Sequence, residues 1–133
     1  MGRAELLAEG SDVLFVAAGR MVEIAEKAGA DLTQRGASVG VVNARWVKPL
    51  DQRIVDWAVP VKHVVTLEDN VVAGGFGSAV MEAFALAGVP KSITCIGVPD
   101  LFLPFGSPGD VMEWAGMDAD SIVARVSALL SSS

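Results

Sequence analysis

The chain has 133 residues, 52% of them apolar, with 10 Lys and Arg against 16 Asp and Glu and a net charge of −6. That length suits one domain, able to hide roughly two-thirds of its unfolded surface, and excludes a second. No basic cluster exists to meet nucleic-acid phosphates, and Cys95, the only cysteine, excludes an internal disulfide or a cysteine-based metal cage and points to a reducing cytoplasm.

The N-terminal residues lack the long apolar core of a signal peptide, so export is not expected. Leu6-Leu7-Ala8 reads as a short opening strand. Val13 to Ala18 is a continuous apolar run closed by Gly19, the pattern of a strand covered on both faces. Met21, Ile24, Ala28 and Leu32 then recur at helical spacing, with Glu23, Glu26 and Lys27 facing out, until Gly36 stops the helix. Val39 to Ala44 is the next strand. Pro49 opens a short helix, Asp51 to Ala58, which Pro60 ends.

Val64 to Leu67 and Ile93 to Val98 read as two further parallel strands, with a helix from about Gly77 to Ala87 between them. The stretch from Val71 to Pro90 has only Glu82 charged and approaches the length of a membrane span, but its glycines, alanines and Pro90 fit a buried helix with its turn. Asp118 or Asp120 can cap a last helix whose apolar face is Ile122, Val126, Leu129 and Leu130. Residues 1–130 are therefore expected to form one domain and residues 131–133 a disordered tail. Strands alternating with helices call for an α/β fold with a mostly parallel sheet in a three-layer α/β/α arrangement.

In such sheets ligands bind beyond the carboxyl ends of the strands. Arg45 follows the Val39–Ala44 strand, where its guanidinium can clamp a phosphate or carboxylate or pair with a nearby acid such as Asp51. Glu68 and Asn70 end the next strand and can do acid/base or positioning work, or form a solvated turn. Gly74-Gly75-Phe76-Gly77 can expose amides to an anion, but it lacks the third glycine of a dinucleotide fingerprint and the lysine of a P-loop, so tight backbone packing explains it better. His63 has no second histidine with which to bind a metal. No metal site and no complete catalytic apparatus is legible. The Gly77–Ala87 helix has almost no polar face, so either a second copy or another domain covers it, or it is deeply buried within this domain. The apolar run Pro99 to Gly106 can line a pocket or pack under the sheet's edge.

The order Gly10-Ser11-Asp12-Val13, Asn43-Ala44-Arg45-Trp46-Val47-Lys48-Pro49-Leu50-Asp51, His63 with Thr66-Leu67-Glu68-Asp69-Asn70, Gly74-Gly75-Phe76-Gly77-Ser78 and Gly97-Val98-Pro99-Asp100 resembles the C-terminal domain of the 1-deoxy-D-xylulose-5-phosphate synthase family, over nearly the whole chain. The Pro-Leu-Asp and glycine motifs are shared with transketolases and with the β subunits of 2-oxo acid dehydrogenases. The Arg-aromatic-Val-Lys prefix and Gly-Val-Pro-Asp favour the synthase.

The resemblance implies a five-stranded sheet whose first strand is antiparallel. It also implies a cytoplasmic, dimeric transferase that uses thiamin diphosphate and Mg to condense pyruvate with glyceraldehyde 3-phosphate, with loss of CO2, for isoprenoid, thiamin and pyridoxal precursors. On that resemblance Arg45 binds the acceptor's phosphate, and Glu68, Asn70 and Gly74 to Gly77 belong to the site or the interface. The family's cofactor motif, Gly-Asp-Gly with a later Asn, and its activating Glu lie in other domains. Gly109-Asp110-Val111 does not match that motif. The isolated chain is thus expected to be inactive, to bind no cofactor and to need the remaining domains of the same enzyme. The alternatives are the equivalent dehydrogenase domain and a free-standing anion-binding or regulatory module. Phe105 stands where many relatives carry a polar residue, often His.

Overall fold

β2 (Val13–Ala17) is buried at every position, and the rest of the molecule is arranged around it. A computed structural model describes residues 4–19, 21–44, 52–68, 76–89, 91–97 and 118–131. Among these, β1 (Glu5–Ala8), β2, β3 (Val39–Asn43), β4 (His63–Glu68) and β5 (Ser92–Gly97) form one sheet in the order β1-β3-β2-β4-β5. β1 runs antiparallel to β3, and the other neighbours are parallel. The fold class and the antiparallel first strand agree with the expectation.

The helices are α1 (Met21–Gln34), α2 (Arg53–Ala58), α3 (Phe76–Leu86) and α4 (Ala119–Ser131). Parallel crossovers are right-handed, so a chain that moves left across the sheet and one that moves right leave their helices on opposite faces. From β2 to β3 the chain moves one way through α1; from β3 to β4 and from β4 to β5 it moves the other way through α2 and α3. The two cores follow this division. Phe15, Ala17, Val65 and Leu67 pack under Met21 and Leu32 of α1 and Ile122 and Val126 of α4. Leu14, Val16 and Val64 pack under Ile54 of α2 and Val80 and Phe84 of α3.

Local chemistry sets the ends of the helices. Gly36 takes a φ of +97°, which a side chain would resist, and the amide of Ala37 donates to the carbonyl of Leu32, closing α1. At α4, Asp118 is the cap: its carboxylate accepts from the Ser121 hydroxyl at 2.6 Å and from the Ser121 amide at 3.4 Å. These bonds favour the charged form and hold the Asp118 carboxyl below its ordinary value. The short helix α2 begins at Arg53, two residues later than its sequence suggests.

α3 is not deeply buried within this domain. Val80 and Phe84 reach the core, whereas Met81 is 49% and Leu86 81% exposed. Of the two accounts of its apolar composition, full burial inside the domain is the one the structure removes.

Candidate functional site at the strand ends

Neighbouring strands whose following helices leave to opposite faces create a crevice at their carboxyl ends. Here those strands are β2, followed by α1, and β4, followed by α3. Backbone hydrogen bonds tie the exits together. The amide of Ala18 donates to the carbonyl of Leu67 at 3.2 Å, and that of Ala44 donates to Ala17 at 2.8 Å. Three exits, Ala17–Gly19, Asn43–Ala44 and Leu67–Glu68, therefore converge on one rim. Gly19 turns the chain there with a φ of +62°, after which the amides of Met21 and Val22 donate to Ala18 and Gly19 as α1 begins.

Arg45 is the residue immediately after Ala44, and it lies outside the described residues. So do Asn70, Gly74, Gly75 and the apolar run Pro99 to Gly106. Glu68 is the last residue of β4, in register with Gly97 at the end of β5. Phe76 and Gly77 open α3. The backbone thus brings the exits that lead to Arg45 and to Asn70 to the same end of the sheet, either side of β2.

His63 is at the other end. It starts β4 and pairs with Val13 and Ser92, about 16 Å of strand away from Glu68. Both its ring nitrogens are buried without a hydrogen-bond partner, as is the hydroxyl of the fully buried Thr66. The polar groups gathered near His63 have a structural use. The Ser38 amide donates to Asp12 at 2.8 Å, the Ser11 amide to the Ser38 hydroxyl at 2.9 Å, and Lys62 stands 3.7 Å from Asp12. This knot ties the β1–β2 turn to the turns that enter β3 and β4. Sequence reasoning missed it because its members are far apart in the chain and meet only when the strands align. Among the described residues no group of three or more His, Cys, Asp or Glu could hold a metal ion, and no helix is long and apolar enough to cross a membrane.

A family model for the C-terminal domain of transketolase matches residues 2–122. The chain belongs to that family. Within it, the chain is similar to 1-deoxy-D-xylulose-5-phosphate synthases. It is 46% identical over 131 residues to that of Thermomicrobium roseum, covering 98% of this chain and 21% of the relative. It is 44% identical over 125 residues to that of Desulforudis audaxviator, covering 92% and 20%. The chain spans about a fifth of the length of the curated relatives it matches.

Among solved structures, the transketolase C-terminal fold recurs in a split-gene transketolase described as an inactive β4 tetramer, with a TM-score of 0.84 and 34% identity, covering 98% of this chain and 43% of that one. A transketolase from Campylobacter jejuni, at 18% identity and a TM-score of 0.64 over 96% of this chain and 18% of its own, shares the fold.

Proposed function

We propose that this transketolase C-terminal domain is the acceptor-binding and dimerising part of a 1-deoxy-D-xylulose-5-phosphate synthase. The observation that carries the reading is identity of 46% to such a synthase across 98% of this chain. The relatives described above are synthases, which favours this reading over a 2-oxo acid dehydrogenase β subunit or a free-standing module. The complete enzyme condenses pyruvate with glyceraldehyde 3-phosphate, releases CO2, works in the cytoplasm and feeds isoprenoid, thiamin and pyridoxal precursors.

Residues 1–130 act as one domain. Arg45 leaves the rim at the end of β3 and pairs its guanidinium with the phosphate of the triose acceptor, holding the aldehyde for attack. Glu68, Asn70 and Gly74 to Gly77 border the same space or the contact with neighbouring domains. The reading is supported by the convergence of the β2, β3 and β4 exits at one end of the sheet. A homodimer is supported by the exposed Met81 and Leu86 of α3, apolar surface that a second copy would cover.

Thiamin diphosphate and Mg belong to the other domains, because neither the Gly-Asp-Gly motif nor its companions fit anything in these 133 residues. Bound there, the cofactor supplies the electron sink for decarboxylation. This chain binds and orients the acceptor and carries no catalytic residue. The test is expression of the complete reading frame that contains the chain, with product formation followed from pyruvate and glyceraldehyde 3-phosphate. Turnover by the complete polypeptide, and none by the 133 residues alone, is the expected result; a complete polypeptide without synthase activity refutes the reading.

A further inference from the structure

The edge of the sheet at β5 carries features that this function leaves unused. Among the described residues β5 has β4 as its one neighbour, paired from Ser92 to Gly97 without a bulge. Alternate residues of such a strand turn their amide and carbonyl away from the neighbour, and among the described residues nothing bonds those on the outer side of β5. Proteins ordinarily protect an edge with charge, proline, a bulge or a very short strand. β1, at the opposite edge, is four residues long and bulged between Leu6 and Ala8. β5 has six residues, Ser92-Ile93-Thr94-Cys95-Ile96-Gly97, with no charge and no proline.

The α4 face of this edge is hollow. Thr94 and Ile96 of β5 and Val126, Ala128 and Leu129 of α4 line an apolar cleft of about 340 Å³, with Arg125 also in its wall. Ile93 and Cys95, the alternate residues, take the α3 face, where Ile93 joins the core and Cys95 is exposed.

Charge identifies the occupant. Among the described residues Lys27, Arg35 and Lys62 stand against Glu23, Asp31 and Asp12, Lys91 donates to two carbonyls, and Arg53 donates to the Ala4 carbonyl and lies over Trp57. The Arg125 guanidinium has no hydrogen bond, ion pair or ring contact, and the residue is exposed. It is a fork of donors open to a carboxylate from outside the chain. A second copy does not bring one. β5 paired with itself about a two-fold axis would set both Arg125 residues on the same face of the joined sheet, and the strands between them hold no acid.

We propose that β5 receives an extended segment of a partner polypeptide as an added strand, with an apolar side chain entering the cleft under α4 and a carboxylate two residues away meeting Arg125. The residue between them lies on the α3 face beside Cys95. Strand addition draws affinity from main-chain hydrogen bonds and specificity from pockets that receive alternate side chains, and this edge offers both. Arg125 selects the sign of the partner's charge.

The test is two-dimensional amide NMR of the 133-residue chain, titrated with acetyl-Glu-Val-Leu-Val-Glu-amide and with its counterpart bearing Lys for both Glu. The first peptide places Leu on one face with a Glu two residues to either side, so that it can meet Arg125 in either strand direction. It is expected to shift the signals of Ser92 to Gly97 and Ala128, and the basic peptide to leave them unmoved. Arg125→Glu changes an exposed side chain, so the fold is retained, and it is expected to weaken the acidic peptide by about tenfold and to let the basic one bind. Ala128→Trp fills the cleft with every charge intact and is expected to weaken binding as well. No shifts along β5, equal binding of both peptides, or unchanged affinity in both variants would overturn the proposal. So would concentration-dependent shifts of Ser92 to Gly97 without peptide, which would assign the edge to a second copy.

Discussion

Replacing Gly10 by alanine should force the β1–β2 turn away from the start of β3. A Cβ built on Gly10 would lie 2.2 Å from the carbonyl carbon of Val39, 2.3 Å from the amide nitrogen of Gly40 and 2.6 Å from the Val39 Cα. Carbon atoms in ordinary contact sit roughly 3.5–4.0 Å apart, so the β1–β2 turn and β3 must part by more than about 1 Å. The obstructing atoms are all backbone. They cannot retreat either, because Val39 and Gly40 are paired with Val13 and Leu14 on their other side, and the Ser38 carbonyl accepts from the Asp12 and Val13 amides.

Overpacking of side chains costs about 1–3 kcal/mol, and a clash with a fixed backbone belongs at or above the top of that range. We therefore expect Gly10→Ala to lose about 3 kcal/mol of the roughly 5–15 kcal/mol that holds such a domain folded. In urea, with a slope of about 1–3 kcal/mol per molar, the midpoint falls by about 1–3 M at unchanged slope. Gly36→Ala is the control: a Cβ there meets nothing within 4 Å, and only its φ of +97° opposes a side chain, at a cost of about 1 kcal/mol. If the two variants unfold at the same urea concentration, the close approach of the β1–β2 turn to β3 is not what makes Gly10 necessary.

Asp118→Ala removes the cap of α4 and is expected to cost about 1 kcal/mol at neutral pH. Because the folded state holds this carboxyl below its ordinary value of 3.8, its contribution is present above that value and lost as the pH falls through the folded one. Wild type and variant should then converge in stability in acid, and a gap that stays constant down to about pH 2 contradicts the assignment. His63→Leu deletes two buried nitrogens that have no partner, so the urea midpoint should hold or rise, and a loss above about 1 kcal/mol would show that the ring is engaged. The Lys91 ammonium donates to the carbonyls of Val59 and Val61, binding the α2–β4 turn to the start of β5. Lys91→Met should cost about 1–2 kcal/mol by chemical denaturation, and no measurable change would mean that water replaces both bonds.

The strands were legible because burial on both faces leaves unbroken apolar runs, as at Val13 to Ala17, and the helix ends because Gly36 reaches a backbone angle that other residues resist and Pro60 cannot continue a helix. The face each helix takes followed from the handedness of crossovers only once the strand order was known. What a sequence does not carry is the meeting of distant residues. The Asp12–Ser38–Lys62 knot depends on strand register, as does the distance from His63 to Glu68, two residues that sit five apart in the chain and at opposite ends of one strand. The choice between Asp118 and Asp120 as cap needed the position of Ser121. The composition of α3 indicated a helix with something to cover, but only the exposure of Met81 and Leu86 showed that this domain does not cover it.

We propose that Arg45, which follows Ala44 after the end of β3, meets the phosphate of a triose acceptor. Steady-state kinetics of the complete enzyme with and without Arg45→Ala tests it most directly. A raised Michaelis constant for glyceraldehyde 3-phosphate is expected, with the constant for pyruvate unchanged. Identical acceptor constants in the two proteins would contradict it.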